Sequence, residues 1–314
     1  IDFDFEKTTA VFNLDICGNT LKNANVCVIN MNIGGRISSL EDFSLQRLNI
    51  TDNQLVTSSG ALNPHDETGA LRITGTARMG GGVIGFSDFN FSNNIVKYKG
   101  VGIYLDIDTL GTGDSSFRDI IIDGNVWDSF MYLGTSGTTP EPCTISIQRG
   151  SPTGYGGAKG YHDWYRISVT NNIYRGSNNE GFLSWTDTGE APNEAKYIRI
   201  CDNAPSADKF GIRLRANTPQ GTGTASSSIW DHINISSNIF HITTNAFDQY
   251  GIIIEGVNYD LTNLQIHNNQ IDNVLNANTK LGRAVDIDMG LGPTAGTGLA
   301  SCNNISIQGN DFAG

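Results

Sequence analysis

The chain has 314 residues, of which 38% are hydrophobic and only 17% charged, with 37 glycines and a formal net charge of −12. This balance excludes the basic face of a nucleic-acid binder, and no apolar run approaches the ~20 residues of a membrane-spanning helix, so neither nucleic acid nor membrane insertion is expected. Five cysteines, at positions 17, 27, 143, 201 and 302, show neither the even count of a disulfide framework nor a CxxC pair for zinc.

The chain opens IDFDFEKTTA, with neither a starting Met nor a signal peptide, and reads as a piece of a longer polypeptide. One pattern then recurs in chain order: apolar, any, apolar, any, any, Asn, any, and usually apolar. It begins with Leu14, Ile16, Asn19, Leu21 and returns with Leu48, Ile50, Asn53, Leu55. Phe89, Phe91, Asn94, Val96 follow, then Ile120, Ile122, Asn125, Trp127 and Ile167, Val169, Asn172, Tyr174. Further along stand Ile198, Ile200, Asn203, Pro205 and Ile233, Ile235, Asn238, Phe240. The last two are Leu264, Ile266, Asn269, Ile271 and Ile305, Ile307, Asn310, Phe312.

Spacing between these asparagines varies while the local pattern does not, as in a solenoid with a rigid core and variable loops. Period-two apolar residues put each pair on one face of a strand. Each Asn then falls at a sharp bend, where its tolerance of the left-handed conformation suits it. Stacked coils ~4.8 Å apart would let the amides form a hydrogen-bonded ladder.

A second strand follows each bend. It is clearest as GIYLDID (102–108), GIRLR (211–215), GIIIE (251–255) and AVDID (284–288), with GALRIT, TISIQ and GFLSW as further members. In the fourth coil FMYL (130–133) competes with TISIQ (144–148). Gly-, Thr-, Pro- and Ser-rich stretches such as ANTPQGTGTASSS read as loops on one side. The expected fold is an all-β, right-handed parallel β-helix of about nine coils, one domain over residues 1–314.

These Asn- and Gly-rich, weakly charged coils resemble the pectate-lyase-like right-handed β-helix superfamily, most of all bacteriophage tailspikes and capsular depolymerases. The resemblance covers the whole chain at the level of fold. It implies a homotrimer in a virion tail appendage, or otherwise extracellular, that binds and cleaves bacterial surface polysaccharide, capsule or O-antigen. A non-catalytic receptor-binding or structural fibre segment is an alternative, as is a secreted polysaccharide lyase, hydrolase or epimerase of the same fold. The catalytic strings of polygalacturonases and the RxPxxR string of pectate lyases are absent. Trp230-Asp231-His232 is similar to the WIDH string of those lyases but one residue short, and a turn-ending Asp is the better reading. The GDGxTDDT-like start and capping helix common in tailspikes are also missing.

Gly80, Gly82 and Gly85 satisfy GxGxxG, but a strand rather than a helix follows, so no dinucleotide site is expected. No cofactor and no metal are expected either, although Asp106 with Asp108, or Asp286 with Asp288, has the oxygen chemistry for Ca²⁺. Alternation along the second strand places Tyr104, Asp106, Trp185, Arg213, Arg215, Glu255, Asp286 and Asp288 outside. One outer lane would run Asp106, Gln148, Trp185, Arg215, Glu255, Asp288. Aromatic faces pack on sugar rings, Arg binds carboxylates bidentately, and paired carboxylates hydrolyse glycosides. In this reading Tyr104, Asp106, Trp185, Arg213, Arg215 and Asp286 bind saccharide. The catalytic candidates are Glu255, Asp288 and Asp187, with Glu255 as general acid or base because it pairs with either partner. Glu255 and Asp288 would stand ~5 Å apart at the backbone and Asp187 and Glu255 ~10 Å, near the retaining and inverting separations.

Overall fold

The computed structural model describes residues 1–5, 10–24, 27–33, 43–58, 69–76, 83–108, 114–129, 143–149, 162–174, 181–187, 193–207, 210–216, 228–242, 250–256, 259–273, 283–288 and 301–313. Among these residues every regular element is a β-strand and the strands pair in parallel, as in Ile103↔Ile145 and Phe117↔Trp164. Two sheets have nine strands each, and two shorter ones have five and four.

The chain visits the sheets in rotation. One coil runs through the first sheet at Val101–Asp108, the second at Asp114–Asp123 and the third at Val126–Ser129. The next repeats this at Cys143–Arg149, His162–Thr170 and Ile173–Tyr174. Each strand pairs with its equivalents one coil before and after, so sheet order follows chain order throughout. From the sixth coil onward the third position passes to the fourth sheet, beginning with Ser206–Ala207 and Ile239–Ile242. This arrangement is consistent with a parallel β-helix of nine coils among the described residues. TISIQ supplies the first-sheet strand of the fifth coil, and FMYL lies outside the described residues.

The repeated asparagines form one hydrogen-bonded column. In each step the backbone N–H and Nδ2 of one Asn donate to Oδ1 of the Asn in the next coil, from Asn19→Asn53 to Asn269→Asn310. From Asn53 onward each Nδ2 also donates back to a main-chain carbonyl of the preceding coil, as Asn125 does to Phe91 at 2.9 Å and Asn203 to Val169 at 2.9 Å. Asn94, Asn125, Asn172 and Asn238 are wholly buried. A buried amide is tolerated only when satisfied, and stacking satisfies all of its groups at once.

The bend itself falls one residue earlier than the sequence suggests. The left-handed residues are those preceding the ladder: Asp52, Asn93, Gly124, Asn171, Asp202, Ser237 and their equivalents, at φ 54 to 68. That displacement frees the ladder Asn to turn its side chain inward. A second left-handed column lies six residues before the ladder Asn and takes one residue of each second-sheet strand out of the pairing, as Arg47 and Asp88 between Gln46↔Ser87 and Leu48↔Phe89. It includes Arg47, Asp88, Asp119, Arg166, Tyr197 and His232 at φ 55 to 60. The apolar pattern carries its mark: Leu45 and Leu48 on either side of Arg47 are both buried, a three-residue step in an otherwise period-two alternation.

Inside, aliphatic and aromatic columns stack coil on coil. Phe117 stacks on Trp164 with centroids 4.2 Å apart, and Phe91 stacks on Trp127 at 5.7 Å. Small residues let the sheets approach: a Cβ on Gly211 would lie 2.5 Å from the Phe240 ring and 2.7 Å from the Gly251 carbonyl.

Candidate functional site

Strand register decides which side chains share a lane of the first sheet. Leu105, Ile147, Trp185, Leu214, Ile254 and Ile287 align, and this lane faces the core. Trp185 is therefore interior and 1% exposed, edge-on to Trp164 at 5.0 Å and tilted on Trp230 at 5.4 Å. Setting it beside Arg215 slips the register by one residue, which carries a side chain through to the other face. Thr186 takes the outward place instead. The lane reads Asp106, Gln148, Thr186, Arg215, Glu255, Asp288.

Two further expectations are corrected. Asp187 pairs with Arg149, one position beyond Thr186, and so does not share a lane with Glu255. Tyr104 points outward, in the lane of Ser146, Ser184, Arg213, Ile253 and Asp286, but it is 4% exposed and packed with Val101 and Cys143. Ser146, Ser184 and Ile253 are buried too, so the sheet's outer face is closed at those positions. The side chains of Asp106 and Asp187 lie outside the described ones.

What the structure brings together is a part-exposed cluster over the seventh to ninth coils. Glu255 lies beside Arg215 on the next strand, and Asp288 lies beside Glu255. Arg213 Nε donates to Glu255 Oε1 at 2.8 Å, and Arg215 Nε donates to the same oxygen at 2.7 Å. Arg215 Nη2 approaches it at 2.6 Å. One carboxylate oxygen thus holds two guanidiniums, fixing three long side chains on a rigid sheet.

Around this clamp, Arg283 Nη1 donates to Asp286 Oδ2 at 2.5 Å and its guanidinium lies 5.9 Å from the Tyr250 ring. The Arg213 guanidinium lies 5.9 Å from the Phe210 ring. Tyr259 donates to the Asp288 carbonyl at 3.1 Å, and burial, with nearby Cys302, Asp288 and Glu255, pushes its phenol well above the usual tyrosine range. The Asp288 carboxylate has no hydrogen-bond or ion-pair partner among the described residues. No group of three or more His, Cys, Asp or Glu able to hold a metal occurs among them. The cluster can offer charged donors and acceptors in a fixed array.

A second exposed array lies on the left-handed corner of the second sheet. Arg166 donates to both oxygens of Asp119, and its guanidinium lies 4.6 Å from the Tyr165 ring. Tyr165 meets Tyr197 edge-on at 5.1 Å, and Tyr197 meets the His232 ring at 4.9 Å. His232 Nδ1 lies 2.8 Å from Asp231, which also accepts from Thr262 and Asn263. Asp231 thus belongs to a side-chain ladder between coils and does not end a turn. The sequence signal for this array is Tyr165-Arg166, Lys196-Tyr197 and Asp231-His232 at one offset before the ladder Asn.

Comparison with known proteins adds no relative: no family model, curated protein or solved structure matches the chain.

Proposed function

We propose that the chain is a right-handed parallel β-helix of the tailspike kind that binds bacterial surface polysaccharide, capsule or O-antigen, outside the cell. The observation that carries this reading is the Arg213–Glu255–Arg215 clamp. It holds guanidinium donors on a flat, part-exposed sheet beside the Asp286 and Asp288 carboxylates. Sugar hydroxyls need both donors and acceptors at fixed spacing, and a parallel sheet repeats that spacing every ~4.8 Å. Rigid side chains lose little freedom when a polymer binds.

Cleavage is a second reading, favoured by one observation: Asp288 is the register neighbour of Glu255. The clamp occupies Oε1 of Glu255, which leaves Oε2 to exchange a proton with a water or a glycosidic oxygen. Asp288 would act from the adjacent strand, near the separation of retaining glycosidases.

The test is incubation with a panel of capsular and O-antigen polysaccharides, reading retention on immobilised polymer and products by mass spectrometry. Arg215→Ala should abolish retention. If products form, Glu255→Gln should slow their release by the ~10²–10⁴ that general acid–base catalysis contributes. Retention that is indifferent to Arg215→Ala removes this face from the function.

A further inference from the structure

The left-handed column six residues before the ladder Asn changes character along the solenoid. Asn13, Asp88, Asp119, Asn263 and Asn304 occupy it in five coils, and Asn and Asp accept positive φ at least cost after glycine. Arg47 stands alone near one end. Coils five to seven carry Arg166, Tyr197 and His232 in succession, at φ 55, 60 and 55. Histidine tolerates this region, but a bulky tyrosine does not favour it. Burial does not offset the choice: Tyr197 is 46% exposed and the His232 side chain 49%. A bulky residue kept in a costly conformation without the gain of burial points to function rather than to stability.

The neighbours of Tyr197 hold its ring in place. Tyr165, from the coil before, meets it edge-on at 5.1 Å, and His232, from the coil after, lies at 4.9 Å. What surrounds the ring says what it would take. Lys196 and Asp231 flank it in one outward lane, and Ser168, Arg199 and Asn234 in the other. None of these is apolar, whereas the centre of a protein interface is apolar and poor in charge. The charges are also matched: Lys196 with Glu194 at 2.6 Å, Arg199 with Asp202 at 3.5 Å, and His232 with Asp231 at 2.8 Å. Arg166 and Asp119 balance each other in the same way. Among the described residues, no charge is left over beside the ring to demand an ionic ligand. A fixed, exposed ring set among hydroxyl, amide and paired charges fits an uncharged pyranose. The C–H surface of the sugar packs on the tyrosine while its hydroxyls reach the polar rim.

We infer that Tyr197, with His232 beside it, is a second saccharide contact, on the second sheet, that takes an uncharged pyranose unit. Its ligand class rests on the polysaccharide reading. Its place rests on the left-handed column and not on the clamp. The clamp supplies the main hold, and Tyr197 adds a weaker one on a different sheet. Two such contacts on one long polymer, or on neighbouring chains of a dense surface, raise retention above what either gives alone.

The test exchanges Tyr197 for a residue that the column itself prefers. Tyr197→Asn removes the ring and relieves the backbone, so urea unfolding should show stability unchanged or raised. Retention on the polysaccharide that holds the parent should fall about three- to tenfold, the worth of one ring contact. The fall should be the same at high salt as at low, because no net charge is involved. Tyr197→Phe, which keeps the ring, should keep the retention. Soluble oligosaccharides cut from that polymer should shift the His232 ring protons in NMR spectra of the parent and of Arg215→Ala alike. Retention indifferent to Tyr197→Asn, or His232 ring protons that do not move, overturns this site and leaves the clamp standing. A fall in retention that comes with a fall in stability assigns the ring to structure and overturns it as well. A parent that no polysaccharide retains overturns the ligand together with the proposed function.

Discussion

The backbone N–H and Nδ2 of Asn125 both donate to Oδ1 of Asn172, at 3.3 and 3.0 Å, across one coil step. The same oxygen accepts from Trp127 Nε1 at 3.1 Å. One amide oxygen therefore closes three donors that have no water in reach. Asn172→Ala leaves those donors unmet, together with the Ile122 and Thr170 carbonyls to which Nδ2 donates. Each buried polar group left unpaired costs about 1–3 kcal/mol. The expected loss is about 3 kcal/mol or more, read by urea unfolding. A loss within about 0.5 kcal/mol of zero, the range of surface substitutions, would show that the ladder does not hold the coils.

Trp185 separates the interior reading from the surface one. Trp127, Trp164, Trp185 and Trp230 are all fully buried. Native tryptophan emission should sit at short wavelength and resist iodide quenching. Trp185→Ala should cost about 3–5 kcal/mol through the cavity it leaves. Saccharide binding at the clamp should leave the emission unchanged, whereas a large change on adding polysaccharide would reopen a stacking role for this ring.

The strands and the ladder were legible because alternation and the recurring Asn are local signals, each repeated nine times. Lane membership was not legible at Trp185, because a large ring beside polar residues looks the same inside or outside until the partner strand fixes the register. Leu183, paired with Ile212, shows the parity that puts Trp185 inside. Tyr104 failed differently. It faces outward as alternation requires, yet packing against Val101 and Cys143 closes it, and such tertiary cover has no local sequence mark. The left-handed corner had two sequence marks that the repeat reading passed over: the three-residue step between inward apolar residues, as from Leu45 to Leu48, and Asn or Asp at that position in several coils, although Arg47, Arg166 and Tyr197 do not favour positive φ. By contrast Arg213, Arg215, Glu255, Asp286 and Asp288 emerged from alternation alone, since regular strands carry them.

Thiol reactivity should divide by burial. Cys17 is exposed, while Cys143 and Cys201 are buried. Burial pushes the Cys27 thiol up to about 12, against hydrogen bonding at Ile29 and the nearby Arg72 charge. At pH 8 a thiolate reagent should label Cys17 first in the native protein. Cys27, Cys143 and Cys201 should label only after denaturation. Rapid native labelling of the half-buried Cys27, located by peptide mapping, would contradict its raised thiol.

Acid should weaken the left-handed corner. The two-pronged hydrogen bond from Arg166 holds the Asp119 carboxyl below the usual aspartate range, outweighing partial burial, and the Arg166 and Arg118 charges add to it. Burial pulls Asp231 upward, but hydrogen bonds from Asn263, Thr262 and His232 outweigh it and leave that carboxyl lowered as well. A carboxyl depressed on folding stabilises the native state in full above its unfolded value, about 3.9 for Asp. Below that value the unfolded chain binds protons that the native chain does not yet bind, so stability falls as pH falls. The contribution is gone once pH passes below the depressed native value. Unfolding midpoints in urea should therefore hold steady from neutral pH to about 4 and drop below it. Asp119→Asn and Asp231→Asn should each flatten the drop, because the substituted side chain no longer titrates. Both positions are part-exposed, so screening keeps each effect small, and the double variant is the one to measure. A double variant whose acid slope equals the parent's would show that these ladders contribute nothing to the pH dependence.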